Sequence, residues 1–203
     1  MTLLPVRNGL QLLFAVLGIV LLGGCVHIER YPKSWESVPV GAATDCTAVT
    51  VTYANEGENV NGNRILLAPS IEPRQYKSTV ERAAYESDLT KAQTVQLQLT
   101  ANLMTVVASG EHLHREWSFD SNRREFECKH GVIRIRHFEV ANDIVFGVSK
   151  WSDYLYRVGD HLIVRSPGVA VGLALIVPFA VVGTSWARFP VVPSRSAGTD
   201  GTP

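Results

Sequence analysis

The chain has 203 residues, with 19 basic side chains against 19 acidic ones and a hydrophobic fraction of 46%. That length suffices for one domain with a real core, or for a domain with an attached segment. A chain this near to neutral carries no basic field to draw nucleic acid, and none to hold anionic headgroups by charge alone.

The N-terminus has the three parts of an export signal. Met1 to Arg7 is short and carries one positive charge, and Leu10 to Leu22 is almost wholly apolar. The apolar run falls short of the ~20 residues that a spanning helix needs. Small residues Gly23 and Gly24 then precede Cys25. Leu22-Gly23-Gly24-Cys25 resembles the lipobox of bacterial lipoproteins, a likeness confined to residues 1–26. It implies that residues 1–24 are a signal peptide cut off before Cys25, which is then acylated on sulfur and on its new α-amine. Each buried acyl methylene is worth about 0.8 kcal/mol, so one chain binds marginally and several hold firmly. In that family an Asp after the Cys favours retention in the inner membrane; Val26 fits the outer-membrane pattern instead. The competing reading is an uncleaved N-terminal anchor with an incidental Cys.

Residues 25–43 contain Pro32 and Pro39 and no sustained period, which predicts a lipidated tether, with Trp35 available to dock it. From Thr47 the pattern alternates, with Val49, Val51 and Tyr53 on one face, as in a half-buried strand. Asn55 to Asn63 reads as a loop, and Arg64 to Ala68 as a short strand stopped by Pro69. Lys77 to Ala92 is either a short helix or an ordered loop. Thr94–Thr100, Leu103–Ala108, Glu111–Phe119, Glu125–Cys128 and Val132–Val140 read as successive strands. Lys129-His130-Gly131 reads as a turn, because the apolar parity flips there. Trp151–Val158 and Leu162–Arg165 form a hairpin about Gly159-Asp160. The fold class is therefore mainly β: an antiparallel meander that can curl into a small or partly closed barrel, with at most one short helix. The β-domain is expected over residues 44–189, followed by a disordered tail over 190–203.

Ser166 to Ala187 has no charged residue, and its length would span a bilayer. Pro178 and the glycines Gly168, Gly172 and Gly183 oppose a helix, so buried strands or a short helix covering the sheet is the first expectation. A membrane helix or re-entrant segment is the second.

With Cys25 assigned to lipid, Cys46 and Cys128 remain, an even pair that suggests a disulfide in an oxidising compartment. Two buried free thiols are the alternative. His112, His114, Cys128 and His130 have the residue types of a zinc site. However, a hairpin pairing Phe119 with Arg124 would put the two histidines and Cys128 on opposite faces, so no metal site is expected. Glu125 and Glu127 share a face flanked by Arg123 and Lys129, which describes a solvated charged surface rather than an acid–base pair. No nucleophile elbow, phosphate loop or metalloprotease motif occurs. Trp117, Phe119, Phe126, Phe138, Trp151, Tyr154 and Tyr156 could line a ligand cavity or simply pack a core.

The sequence thus predicts an envelope lipoprotein held to a membrane by lipid on the periplasmic face of the outer membrane, with the inner membrane as alternative, and with no catalytic residues and no cofactor expected. Its expected role is non-catalytic, binding or assisting another envelope protein. A β-barrel carrier of a lipid or other apolar ligand is the alternative, and no nucleic-acid partner is expected.

Overall fold

The computed structural model describes residues 25–38, 50–73, 79–142, 145–174 and 177–193. In chain order its elements are β1 (Cys25–Ile28), β2 (Thr50–Ala54), β3 (Glu56–Asn59), β4 (Arg64–Leu66), α1 (Leu67–Ile71), α2 (Thr79–Leu89), β5 (Thr94–Leu99), β6 (Leu103–Gly110), β7 (Leu113–Asp120), β8 (Phe126–Lys129), β9 (Val132–Asn142), β10 (Val145–Val158), β11 (His161–Ala174) and β12 (Val177–Pro190). The chain is mainly β, and its strands pair antiparallel except for β1, which runs parallel to β12. Residues 1–24, Cys46 and residues 194–203 lie outside the described residues.

Two sheets form. One has the order β2-β5-β6-β7; the other runs β4-β3-β12-β11-β10-β9-β8, with β1 also on β12. The alternation that marks the strands also makes the core. Val95, Leu97, Leu99, Met104, Val106 and Phe119 from the first sheet are buried in one cluster with Phe126, Ile135, Leu155, Val164 and Phe189 from the second. Burying each such side chain contributes roughly 1.5–3 kcal/mol. The sheets join along one edge, where Val191 bridges Tyr53 and the Val192 amide donates to the Thr52 carbonyl at 2.8 Å. They do not close into a barrel.

Two expected features of the register change. β7 and β8 do not form a hairpin: Phe119 pairs with Met104 on β6, and Phe126 pairs with Ile135 on β9. Arg124, in the left-handed region at φ 61°, turns the chain from one sheet into the other, so both phenylalanines still enter one core. The Asn55–Asn63 stretch is not all loop, because Glu56–Asn59 is a strand. It lies so close to β12 that a Cβ at Gly57 would run into the Arg188 carbonyl and the Phe189 ring. The expected turn before β9 is present: Lys129 pairs with Val132 across His130 and Gly131, both at positive φ, the geometry of a tight twisted hairpin.

Asn55, 1% exposed, is the polar junction of this corner. Its Nδ2 donates to the Leu89 and Ala92 carbonyls at 3.3 and 2.9 Å, and its Oδ1 accepts from the Ala68 amide at 2.8 Å. It thereby ties the β2–β3 bend to α1 and to the end of α2. Pro69 does not stop the chain here but sits in the first turn of α1, where an amide would have no helical partner.

The described residues of Ser166–Ala187 are strands, as the first expectation allowed, and not a membrane helix, but many of their side chains are exposed rather than buried. They belong to the long hairpin of β11 and β12, which pair without interruption from His161–Pro190 to Ala174–Val177. The pattern is period two: Val169, Val171 and Leu173 are exposed on one side, and Gly168, Ala170 and Gly172 alternate with them. Among the described residues, no helix is long and apolar enough to cross a membrane.

Candidate membrane-facing site

Beyond the core, β9 to β12 continue as a four-stranded tongue. Ile135, Leu155, Val164 and Ala187 are the last core residues on these strands. Past them the two faces separate largely by size on β9, β10 and β11, while on β12 Val177 and Val181 are exposed on the face opposite Val182. One face carries Phe138, Val140, Phe146, Val148, Val169, Val171, Leu173 and Val182, and β1 adds Val26 and Ile28. These ten are among thirteen large apolar side chains exposed among the described residues, so the exposure is concentrated rather than scattered. The other face carries many small residues, including Gly147, Ser149, Gly168, Ala170 and Gly172. Close approach of neighbouring strands requires this: a Cβ at Gly147 would lie 2.7 Å from the Val171 carbonyl oxygen.

A cross-strand row marks the base of the large-residue face. Arg134, Tyr154, Arg165 and Trp186 stand directly opposite one another on successive strands. The Arg134 guanidinium lies 5.3 Å from the Tyr154 ring centre, and that of Arg165 lies 5.5 Å from Trp186. Lower on the same face, Tyr31 meets Trp186 edge-on at 4.9 Å, and Trp35 is buried against Val158 and Ile163. Trp35 thus docks the segment expected to be a tether.

On the opposite face the base of the tongue holds a buried polar group. His137 Nε2 lies 2.7 Å from Asp153 Oδ2, and Ser166 Oγ donates to Asp153 Oδ1 at 2.5 Å. Both ionisable side chains are 2% exposed. The His137 ring stacks on Trp151 at 5.1 Å. Asp153 is the central member, and the carboxylate rather than the imidazole accepts from Ser166. That order satisfies buried polar atoms but does not place a base on the serine oxygen, as nucleophilic catalysis would require. Above it lies an open concavity of about 350 Å³, lined in part by His27, Trp151, Gly168, Ala170 and Gly183.

Cys25 is a free, exposed thiol opposite Val181 on β12. Because β1 runs parallel to β12, and β12 runs from the tip of the tongue to the body, Cys25 is at the end of β1 nearer the tip. Cys128 is disulfide-bonded; its expected partner Cys46 lies outside the described residues.

The other candidates disperse. His112 and His114 are exposed at the edge of the first sheet, Cys128 is in the second, and His130 is in the following turn. These four do not gather into a ligand set. Glu125 accepts from the Asp120 amide at 2.8 Å. Glu127 lies between Arg134 and Arg136, at 3.2 and 2.7 Å. Partial desolvation acts to raise its pKa, but the two guanidiniums and Lys129 outweigh that and hold it below the usual value. Of the aromatic set, Phe119 and Phe126 fill the core with Trp117 half-buried against it, Phe138 is exposed, Tyr154 is half-buried on the same face, Tyr156 packs against the cluster of Trp35, Val158 and Ile163, and Trp151 faces the concavity. They do not surround one lumen.

His137, Asp153 and Ser166 are absent from the sequence-derived candidates. Their spacing along the chain carries no motif, and only the register of three long strands brings them together. The two-sided tongue was visible in principle as large–small alternation after Pro167, a signal hidden by the uniform lack of charge. Comparison with protein-family models, curated proteins and solved structures gives no match.

Proposed function

We propose that this chain is a bacterial envelope lipoprotein, anchored by acyl chains on Cys25 and acting through contact rather than catalysis. Leu22-Gly23-Gly24-Cys25 carries the reading. The free, exposed state of Cys25 supports it, since that residue is open to modification. The polar group at the base of the tongue is closed on itself through Asp153, which favours a structural role for it over a reaction. Val26 favours the periplasmic face of the outer membrane. A carrier barrel is the weaker reading, because the aromatic residues that would line its lumen divide between core and surface.

Metabolic labelling with an alkyne fatty acid tests the anchor. Wild type incorporates label and Cys25→Ala does not; persistent labelling of Cys25→Ala would disprove the assignment. Crosslinking in intact cells tests the accessory role, which predicts recovery of a defined envelope protein. Failure to recover one across several crosslinker lengths would count against it.

A further inference from the structure

We propose that the large-residue face of the tongue is a lipid-binding surface that enters the apolar region of the same membrane that holds Cys25. This deepens the anchor reading and rests on it only for the direction in which the acyl chains leave the protein.

Three independent observations converge. The first is chemical: on this face the rows from Phe138 and Val169 outward are built from Phe138, Phe146, Val169, Val171 and Val182, with Lys150 the sole cation among the described residues of those rows. A lysine stem can lie along apolar surface while its ammonium reaches headgroups. The second is the boundary. The Arg134–Tyr154–Arg165–Trp186 row, with Arg136, Ser152, Pro167 and Thr184 in the row after it, crosses the sheet just below the apolar band, and aromatic and cationic residues favour that depth at a membrane interface. The apolar rows then run from Val169 to Leu173, about 14 Å at ~3.4 Å per residue, the depth of one leaflet of a hydrocarbon core ~30 Å thick. The third is direction: β1 has Cys25 at its end nearer the tip, alongside the tongue. Lipid attached there and the exposed apolar face therefore reach the same layer.

The edges set the pose. β8 covers β9 only up to Ile135, and β1 begins on β12 at Val181. Open strand edges do not cross hydrocarbon unpaired. A single copy therefore meets the membrane with its broad face, keeping its edges near headgroups.

Neighbouring residues on opposite faces supply the test. The mature chain carrying Cys25→Ser, which has neither acyl chain nor thiol at that position, receives one new cysteine, Val171→Cys or Ala170→Cys. Each is labelled with the fluorophore NBD and mixed with vesicles of phosphatidylethanolamine and phosphatidylglycerol containing nitroxide lipid. The unsubstituted Cys25→Ser chain is the labelling control. Val148→Cys and Ser149→Cys provide a second pair on β10. The probe at 171 brightens several-fold with a blue shift and is quenched by the nitroxide, whereas the probe at 170 does neither. Adding Phe146→Asp weakens vesicle binding roughly tenfold. Probes that stay in water at both positions, or respond alike, overturn the proposal. So does a probe at 171 that is shielded before lipid is added and released on dilution, which assigns the face to a second copy. Fatty-acid labelling of Cys25 is scored separately: a labelled anchor with a silent probe at 171 removes only the tongue proposal, and an unlabelled Cys25 with a responsive probe removes only the anchor.

Discussion

Asn55 uses both ends of its side-chain amide inside the protein, and three segments of the chain depend on it. Asn55→Ala leaves the Ala68 amide and the Ala92 carbonyl without this partner in a buried setting, while the Leu89 carbonyl keeps the Ala92 amide. The expected loss is about 1–3 kcal/mol, read as a lower urea midpoint. Tyr53 makes a separate prediction. Burial pushes its phenol up to about 12, against the opposing charge of Arg157, whereas the unfolded chain titrates near 10.0. The folded state thus favours the neutral phenol. Its contribution is fully present below pH 10 and is lost as pH rises towards 12, by roughly 2–3 kcal/mol. Chemical denaturation across that range should show the loss in wild type and a flatter profile in Tyr53→Phe. Neither role was legible beforehand in full. Tyr53 has the right parity for the core, but Asn55 opens a run of Asn, Glu and Gly that reads as loop, and its partners lie on segments far away in the chain.

At the scale of the element, the tongue depends on residues without side chains. A Cβ at Gly172 would run into the Phe146 carbonyl and come within 2.8 Å of the Gly147 Cα. Gly172→Val should therefore part β10 from β11 locally. Amide exchange in the outer halves of these strands is expected to accelerate while the main unfolding transition stays in place, because the core lies at the other end. An unchanged exchange profile would contradict the close packing. The strands themselves were largely readable: β5, β6 and the β8–β9 turn follow from alternation and a change of parity. Lengths were not. Alternation between valine and glycine in an uncharged run does not resemble the apolar–polar alternation of a half-buried strand, so β11 is legible only over Leu162–Arg165 and β12 merges into the ambiguous Ser166–Ala187 run. Likewise, the five-residue α1 is too short to display a period.

For the whole molecule, the assignment of strands to sheets decides the architecture, and here local pattern fails. Asp120 to Arg123 has the composition of a hairpin turn, but the chain uses the left-handed Arg124 to leave one sheet and begin the other. Both outcomes bury Phe119 and Phe126, so the hydrophobic pattern cannot choose between them. The Cys128 disulfide belongs to this scale as well. Cys128→Ser should abolish the mobility difference between reduced and non-reduced gels and lower stability by about 2–4 kcal/mol. An identical midpoint in the two proteins would show that the fold needs no covalent link. The proposed lipidation, in contrast, rests on a few residues, because a processing signal is read as a linear string and not as a fold.

The parallel pairing of β1 with β12 has a temporal meaning. The first described strand finds its place only on the last one. Contacts this distant in the chain form slowly, since a long loop must close before they are rewarded. The early end of a growing chain would therefore wait, unpaired, until its far end had been made. Order of synthesis and order of assembly run in opposite senses, and docking of β1 becomes the step that reports a finished fold.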